Sequence, residues 1–461
     1  MSEFDLAVIG SGPGGYRAAV LATLRGLKVA IVEKAQWGGC CLNRGCVPKK
    51  DWHHSAKLIA ASRDFAQRGI SGTLTPDFAA AWQHQKRIVA TVRDSYVDYM
   101  KRLGIAAFEG HARLSGPHSI TVGGHTLNAR NIIIATGSSP FVPPEFATSE
   151  RILTSDDLFD RQPPPGRRIA IIGGGVIATE FAFILAMLGH DIEWFASGKP
   201  LARSRFSGPA LKLLEQTLAR FDLKPQAKRA IALHTRPDHV ELEFSDGART
   251  EVDWTLLATG RKPHTIDLGL EAVGVNLDRN GFIQTNAHLE TSLPHIYAIG
   301  DVANPGMTAN YALADASLAV ENIISPRSVE RENAAVPEVI YSAIELARIG
   351  STEDEAEDAE FEPALGFAAF ETNPRALGQD GHDGFVRLIA DLDSGRLLGG
   401  EIVGDEAGEL IHGLARKVGK DKALFELAHT FYNHPARSEE LLNASETLAA
   451  KWGLMRQIFT E

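Results

Sequence analysis

Two stretches of this chain repeat one plan, and that repeat limits the fold more than any other feature. The apolar run Asp5-Leu-Ala-Val-Ile9 leads into Gly10-Ser-Gly-Pro-Gly-Gly15, then a helical stretch over residues 16–25. Gly26 ends that helix, and Lys28-Val-Ala-Ile-Val-Glu33 reads as a second buried strand. The plan returns at Arg168-Ile-Ala-Ile-Ile172, Gly173-Gly-Gly175-Val-Ile-Ala178, a helix over 179–188 and the strand Ile192-Glu-Trp-Phe-Ala196. Each copy closes alike, on Ile132-Ile-Ile-Ala-Thr-Gly137-Ser-Ser-Pro140 and on Thr255-Leu-Leu-Ala-Thr-Gly260-Arg-Lys-Pro263. A buried strand, a glycine turn and a helix form a dinucleotide-binding unit. Gly10 makes the turn, Gly12 admits a pyrophosphate to the backbone, and Gly15 lets helix pack on strand. Glu33 ends the second strand, where a carboxylate accepts from ribose hydroxyls.

Two such units predict an α/β protein with two Rossmann-like nucleotide-binding domains. Helices are expected over 51–65 and 77–103, and strands over 106–110, 119–122 and 131–134. Proline-rich runs at 140–144 and 163–166 look like boundaries. From about residue 337 short strands near 339–341, 366–371, 384–391 and 398–403 alternate with helices, as in an α+β domain. The expected division is 1–146 for one nucleotide domain, 147–266 for the second, 267–335 completing the first, and 336–461 at the C-terminus. Seven acids between Ser351 and Glu362 read as a solvated helix face. Ile296-Tyr-Ala-Ile-Gly-Asp301 is one more buried strand ending in an aspartate suited to a cofactor's polyol.

All three cysteines lie within Gly38-Gly-Cys-Cys-Leu-Asn-Arg-Gly-Cys-Val-Pro-Lys-Lys50. Zinc would need a second ligand cluster, so a redox dithiol is the better reading and no metal is expected. Cys41 and Cys46 are five residues apart, which a regular helix would separate by roughly 7.5 Å along its axis. A disulfide needs Cα atoms within about 7 Å, so the segment must be a distorted turn, with Gly45 supplying the backbone. Pro48 suits the first turn of a continuing helix. On spacing alone, Cys40–Cys46 and a strained neighbouring pair stay open.

The 461 residues carry net charge −11, which argues against nucleic acid as a partner. The longest apolar stretch, 181–188, is too short to span a membrane, and Met1-Ser-Glu-Phe-Asp shows no leader, so a cytoplasmic location is expected. Near the end, His434 precedes Pro435 and stands five residues before Glu439, a spacing that fits an acid/base histidine with its orienting carboxylate.

Taken together, residues 38–50, the two glycine turns and His434-Pro-Ala-Arg-Ser-Glu439 resemble the FAD-dependent pyridine nucleotide–disulfide oxidoreductases over essentially the whole chain. The resemblance pairs Cys41 with Cys46 and leaves Cys40 a bystander. It implies FAD at Gly10, Gly12, Gly15, Glu33, Lys49, Lys50, Ala112, Gly137, Asp301 and Ala309. It implies NAD(P)H at Gly173, Gly175, Ala178, Glu180, Ser197, Lys199, Arg203 and Gly260. It implies a homodimer whose C-terminal domain carries His434 and Glu439 to the partner's disulfide, with His434–Pro435 cis. Cys41 is then the interchange thiol and Cys46 the charge-transfer thiolate beside the flavin, while Lys49 or Lys50 pairs with Glu180. Ala436 replaces the family's usual threonine.

Coenzyme choice follows from the repeat. Gly10 to Glu33 is 23 residues, and Gly173 plus 23 gives Ala196, so the second copy lacks the ribose-binding acid. A carboxylate about 4 Å from a phosphate would oppose each unit charge by roughly 4 kcal/mol at an effective dielectric of ~20. Its absence favours NADP, with Ser197, Lys199, Arg203 and Arg205 available to a 2′-phosphate. For substrate, Gly12-Pro-Gly-Gly-Tyr16 and the C-terminal region best match dihydrolipoamide dehydrogenase. Val47-Pro-Lys-Lys50, Ala196 and Tyr99 point instead to an NADPH-dependent glutathione reductase-like enzyme, although Val20 stands where that enzyme has an arginine. Asn310, where the lipoamide enzyme has histidine, weakens the first match. A docked subunit of a multienzyme complex is the alternative of another class. The expected substrate is a small-molecule or protein-bound disulfide or dithiol.

Overall fold

The strand read at 5–9 forms as β1, Phe4–Ile9, paired in parallel with β2, Val29–Glu33, and with His125–Ile134. Its side chains alternate between two faces that are both covered: Leu6 and Val8 join one apolar cluster, Ala7 and Ile9 the other. Burial on both faces is why the strand is almost wholly apolar, as parallel strands under helices must be. The structure, a computed structural model, describes residues 3–331 and 336–451.

Ala106–Glu109 extends this sheet beyond β2, and Ile296–Ala298 pairs in parallel with His125–Ile134. The repeat builds a second parallel sheet, in the order Gln226–Ala227, Asp191–Ala196, Arg168–Ile172, Trp254–Leu257, Ile152–Thr154. The two copies also share a steric constraint. A Cβ on Gly10 (φ +100°) would lie 2.4 Å from Ala135 O, and one on Gly173 (φ +144°) 2.2 Å from Ala258 O. Both turns therefore need glycine twice over, for the sign of φ and for the close strand.

The C-terminal residues form an antiparallel sheet in the order Glu338–Tyr341, Glu345–Gly350, Arg396–Val403, Phe385–Asp391, Pro363–Ala369. Glu345–Gly350 was not foreseen, because Arg348 interrupts its apolar pattern. That arginine is buried, donating to Glu338 at 3.0 Å and to Gly350 O at 2.7 Å.

The chain divides into two compact units, one of residues 1–200 and 225–331, the other of Leu201–Lys224 with the C-terminal residues. Leu201–Lys224, assigned by sequence to the second nucleotide domain, thus packs in the C-terminal unit. Its helix, Gly208–Ala219, buries Ala210, Leu214 and Leu218. Ser207 caps that helix and binds Glu401.

Arg205, expected to be available to a 2′-phosphate, is corrected on the same grounds. It donates to Glu355 at 2.8 Å and to Glu338 at 2.9 Å, so its charge is already matched. The acidic stretch is the solvated face expected of it, with six of its seven acids exposed, though two of the seven are also paired. Glu355 holds Arg205 and closes a capping box with Thr352, and Glu353 pairs with Arg387. Among the described residues no helix is long and apolar enough to cross a membrane.

Candidate active site

The cysteine stretch folds as two helices meeting at Gly45: α2, Gly39–Arg44, and α3, Cys46–Ala61. The helix expected from residue 51 thus begins at Cys46, and its end at 61 passes into a 3₁₀ turn, Ser62–Arg68. Gly45 (φ −136°, ψ −110°) breaks the helical path. A Cβ there would come within 3.2 Å of Cys40 O and Cys41 Cα. The break brings the last turn of one helix against the first turn of the next.

The cysteines are thiols, and Cys41 hydrogen-bonds Cys46. That bond pulls the Cys46 thiol down to about 6 against the cost of burial, helped by the charges of Lys49 and Lys50. Cys46 is also the first residue of α3, where the helix dipole favours an anion. Cys41 moves the other way, held well above the usual thiol range by the same bond and by burial.

Lys49, one turn on, forms an ion pair with Glu180 of the helix Val176–Met187, whose carboxylate is 1% exposed. Burial opposes the Lys49 charge, but Glu180 and the thiols outweigh it and its pKa rises. Both lysines offered by sequence feel the Glu180 charge: Lys49 pairs with it, while burial outweighs it and pulls Lys50 down.

Cys40 turns elsewhere. Its Sγ lies 3.7 Å from Asp156 Oδ1, and Arg261 Nη2 donates to it at 3.5 Å. Burial, against the Arg261 charge, pushes this thiol up to about 11. Arg261 also donates to Asp156 at 3.2 Å and to Ser138 Oγ at 2.8 Å, and Ser138 donates to Asp301 at 2.6 Å. The cysteine left over by the sequence thus ends a polar chain that reaches Asp301.

Around the first glycine turn, Glu33 accepts from Ser11 N at 2.9 Å and Ser11 Oγ at 2.6 Å, and Ser11 Oγ accepts from Gly38 N at 3.0 Å. Gly12 starts α1, Pro13–Leu24, and Gly175 starts Val176–Met187. Both have extended backbone and no side-chain cap, so each helix leaves its first amides for a ligand. Gly15 and Ala178 are buried within those two helices. Ala112 is buried in the first domain's core, and Ala309 opens the helix Ala309–Ile324. Ala196 is buried against Gly174 with no carboxylate in its place, and Ser197 and Lys199 are exposed after it. Arg203, also exposed, lies within the segment that packs in the C-terminal unit.

In the C-terminal unit, Glu439 opens the helix Glu439–Lys451 and accepts from His434 Nδ1 at 2.9 Å and from Ala436 N at 2.8 Å. Those two bonds hold its carboxyl below the usual range. His434 is 73% exposed, and its peptide to Pro435 is cis.

The family profile described as pyridine nucleotide–disulphide oxidoreductase matches residues 4–316, and the dimerisation domain of the same family matches 336–445. The chain belongs to the pyridine nucleotide–disulphide oxidoreductases.

Relatives of this oxidoreductase agree along its length. It is 35% identical to a dihydrolipoyl dehydrogenase of Thermus scotoductus over 97% of this chain and 98% of that protein. It is 33% identical to a glutathione reductase of Burkholderia cepacia over 95% and 98%. Its fold resembles that of LpdA from Mycobacterium tuberculosis, with TM-score 0.89, 24% identity and coverage of 96% and 99%. Such flavoprotein enzymes bind FAD and use NAD(P)H to exchange electrons with disulfides.

The oxidoreductase has the cradles these cofactors need. A Cβ on Gly12, Gly137, Gly175 or Gly260 would meet nothing within 4 Å, so each turn opens onto space, at Gly12 and Gly175 beside uncapped helix amides. Two features of the site escaped the sequence reading. Ser11 fixes the Glu33 carboxylate. Tyr96 stacks on Tyr16 at 4.1 Å, and after burial the nearby Cys41 adds to the rise of its pKa. Tyr96 gave no signal until α4, Phe78–Leu103, was placed beside α1.

Proposed function

We propose that this oxidoreductase moves two electrons between NAD(P)H and a lipoamide-type disulfide through Cys41 and Cys46. The observation that carries the reading is the opposed behaviour of the two hydrogen-bonded thiols. Cys46, at the start of α3 beside Lys49, is built to be a thiolate; Cys41 is not, and needs a base. Residues Gly10, Gly12, Gly15, Glu33, Lys49, Lys50, Ala112, Gly137, Asp301 and Ala309 would hold FAD. Gly173, Gly175, Ala178, Glu180, Ser197, Lys199 and Gly260 would serve the nicotinamide coenzyme. Bound FAD supplies the two-electron carrier between dithiol and nicotinamide.

In the dithiol-oxidising direction a substrate thiolate attacks Cys41 Sγ of the oxidised pair and Cys46 leaves as a thiolate. The second substrate sulfur then attacks the mixed disulfide, Cys41 leaves, and the substrate departs as a disulfide. His434, supplied by a second copy of the chain in a homodimer, takes the substrate's proton and passes it to the departing Cys41; in the reverse direction it takes the proton from Cys41 and gives it to the departing substrate thiolate. Its Nδ1 is tied to Glu439, which fixes the tautomer and leaves Nε2 for exchange.

Lipoamide is favoured over glutathione because Val20 is 4% exposed in an apolar core, where a charged tripeptide's arginine contact would be needed. NADP is favoured over NAD because of Ala196. A two-by-two assay of lipoamide and oxidised glutathione, each with NADH and NADPH, tests both choices. Turnover confined to glutathione would overturn the substrate, and a higher kcat/KM with NADH would overturn the coenzyme.

A further inference from the structure

The loop that carries His434 is anchored by the buried side chain of Arg437. Arg437 stands between His434 and Glu439 in sequence, yet its guanidinium points inward and is 2% exposed. It donates through Nη1 to Gly381 O at 2.7 Å and through Nε to Gln379 Oε1 at 3.2 Å, and pairs with Asp405 at 3.5 Å. Its Cζ lies 5.7 Å from the centre of the Phe370 ring. Room for this is made by Gly381, where a Cβ would fall 2.4 Å from Arg437 Nη2 and 2.1 Å from Asp405 Oδ2. One residue back, Ala436 is fixed on both sides. Its N–H donates to Glu439, and its carbonyl accepts from the buried Asn373 at 3.0 Å.

We infer that Arg437 is a positioning residue for the His434–Glu439 pair, a latch that holds an exposed histidine on a buried anchor. The reasoning is geometric. His434 is exposed, so its own contacts cannot fix the loop, and Glu439 orients the ring only while residues 434–439 keep their turn. A planar guanidinium satisfied on three edges resists displacement in a way an ammonium or an apolar chain cannot. A misplacement of about 1 Å at a proton-transferring group can cost on the order of 100-fold in rate.

This inference rests on the acid–base reading of His434, and the test separates the two. The full-length FAD-loaded enzyme and its H434Q, R437M, R437K and D405N variants are assayed for dihydrolipoamide oxidation across pH. The same proteins are assayed for NAD(P)H-driven ferricyanide reduction, which draws electrons without the acid–base histidine. In R437M, dithiol turnover is expected to fall at least ~10-fold with a displaced pH profile, while ferricyanide reduction stays within twofold of wild type. R437K keeps the charge but not the fork and should fall between. If R437M does not retain FAD, D405N decides, since it leaves the guanidinium and its other two bonds in place and should lose several-fold. Wild-type dithiol turnover and pH profile in R437M, or in D405N where R437M fails to load, overturn the inference while H434Q stays low. Wild-type turnover in H434Q instead removes the reading beneath it.

Discussion

Lys49 and Glu180 form an ion pair that ties the first turn of the redox helix to the helix of the second nucleotide unit. Glu180 is almost completely buried, so its charge leans on the cations beside it, Lys49 in direct contact and Lys50 near by. Lys49→Met should cost about 3–5 kcal/mol, because it strands a buried carboxylate. Lys49→Met with Glu180→Leu should recover most of the loss. Tm values of the FAD-loaded proteins check this. A double variant no more stable than the single one would contradict it.

The hydrogen bond between Cys41 and Cys46 predicts one early and one late thiol titration in the reduced enzyme. Cys46 lies below its ordinary value, so its thiolate appears as pH rises through about 6 and persists above that. Cys41→Ala removes the largest cause of the depression and should move the midpoint up. Cys46→Ser should abolish both the early titration and the long-wavelength absorbance that follows two-electron reduction. Ultraviolet thiolate absorbance against pH checks the first, and a reductive titration the second.

Cys40 should be the inert thiol. It is held at Asp156 and Arg261 and pushed up to about 11, so at pH 7.5 well under one part in a hundred is thiolate. Brief alkylation of the reduced native enzyme should therefore label Cys46 first and leave Cys40 unmodified, while denatured protein yields three modified cysteines. Peptide mapping decides, and early label on Cys40 would refute the niche.

Restoring the acid missing from the second copy should reverse coenzyme choice. Ala196→Glu places a carboxylate where the first copy has Glu33. At roughly 4 kcal/mol of opposition per unit charge it should lower the NADPH to NADH preference by at least ~10-fold. Lys199→Ala should weaken NADPH alone. Steady-state kcat/KM for both coenzymes measures each effect.

The sequence was most legible where chemistry forces residue type. The glycine turns could be read because Gly10 and Gly173 each face a carbonyl that excludes any side chain, and the redox stretch because all three cysteines lie in it, although their pairing came only from the family resemblance. It was least legible where partners are remote. Cys40 meets Asp156 and Arg261, 116 and 221 residues away, and no local pattern announces them. Arg205 looked available because its acids, Glu338 and Glu355, lie 133 and 150 residues on. The pairing of Lys49 with Glu180 depends on helical phase, which a start at residue 51 leaves unset and a start at Cys46 fixes.

The packing of Leu201–Lys224 in the C-terminal unit bears on how this chain can be taken apart. The polypeptide passes between units at 200–201, again at 224–225, and a third time after residue 331. One proteolytic nick therefore cannot release either unit. Excising residues 147–266 as a stand-alone piece would expose Leu214 and Leu218 and strip Glu401 and Glu338 of Ser207 and Arg205. A chimera that exchanges the coenzyme-binding region should carry residues 201–224 with the C-terminal half, not with the strands that precede them.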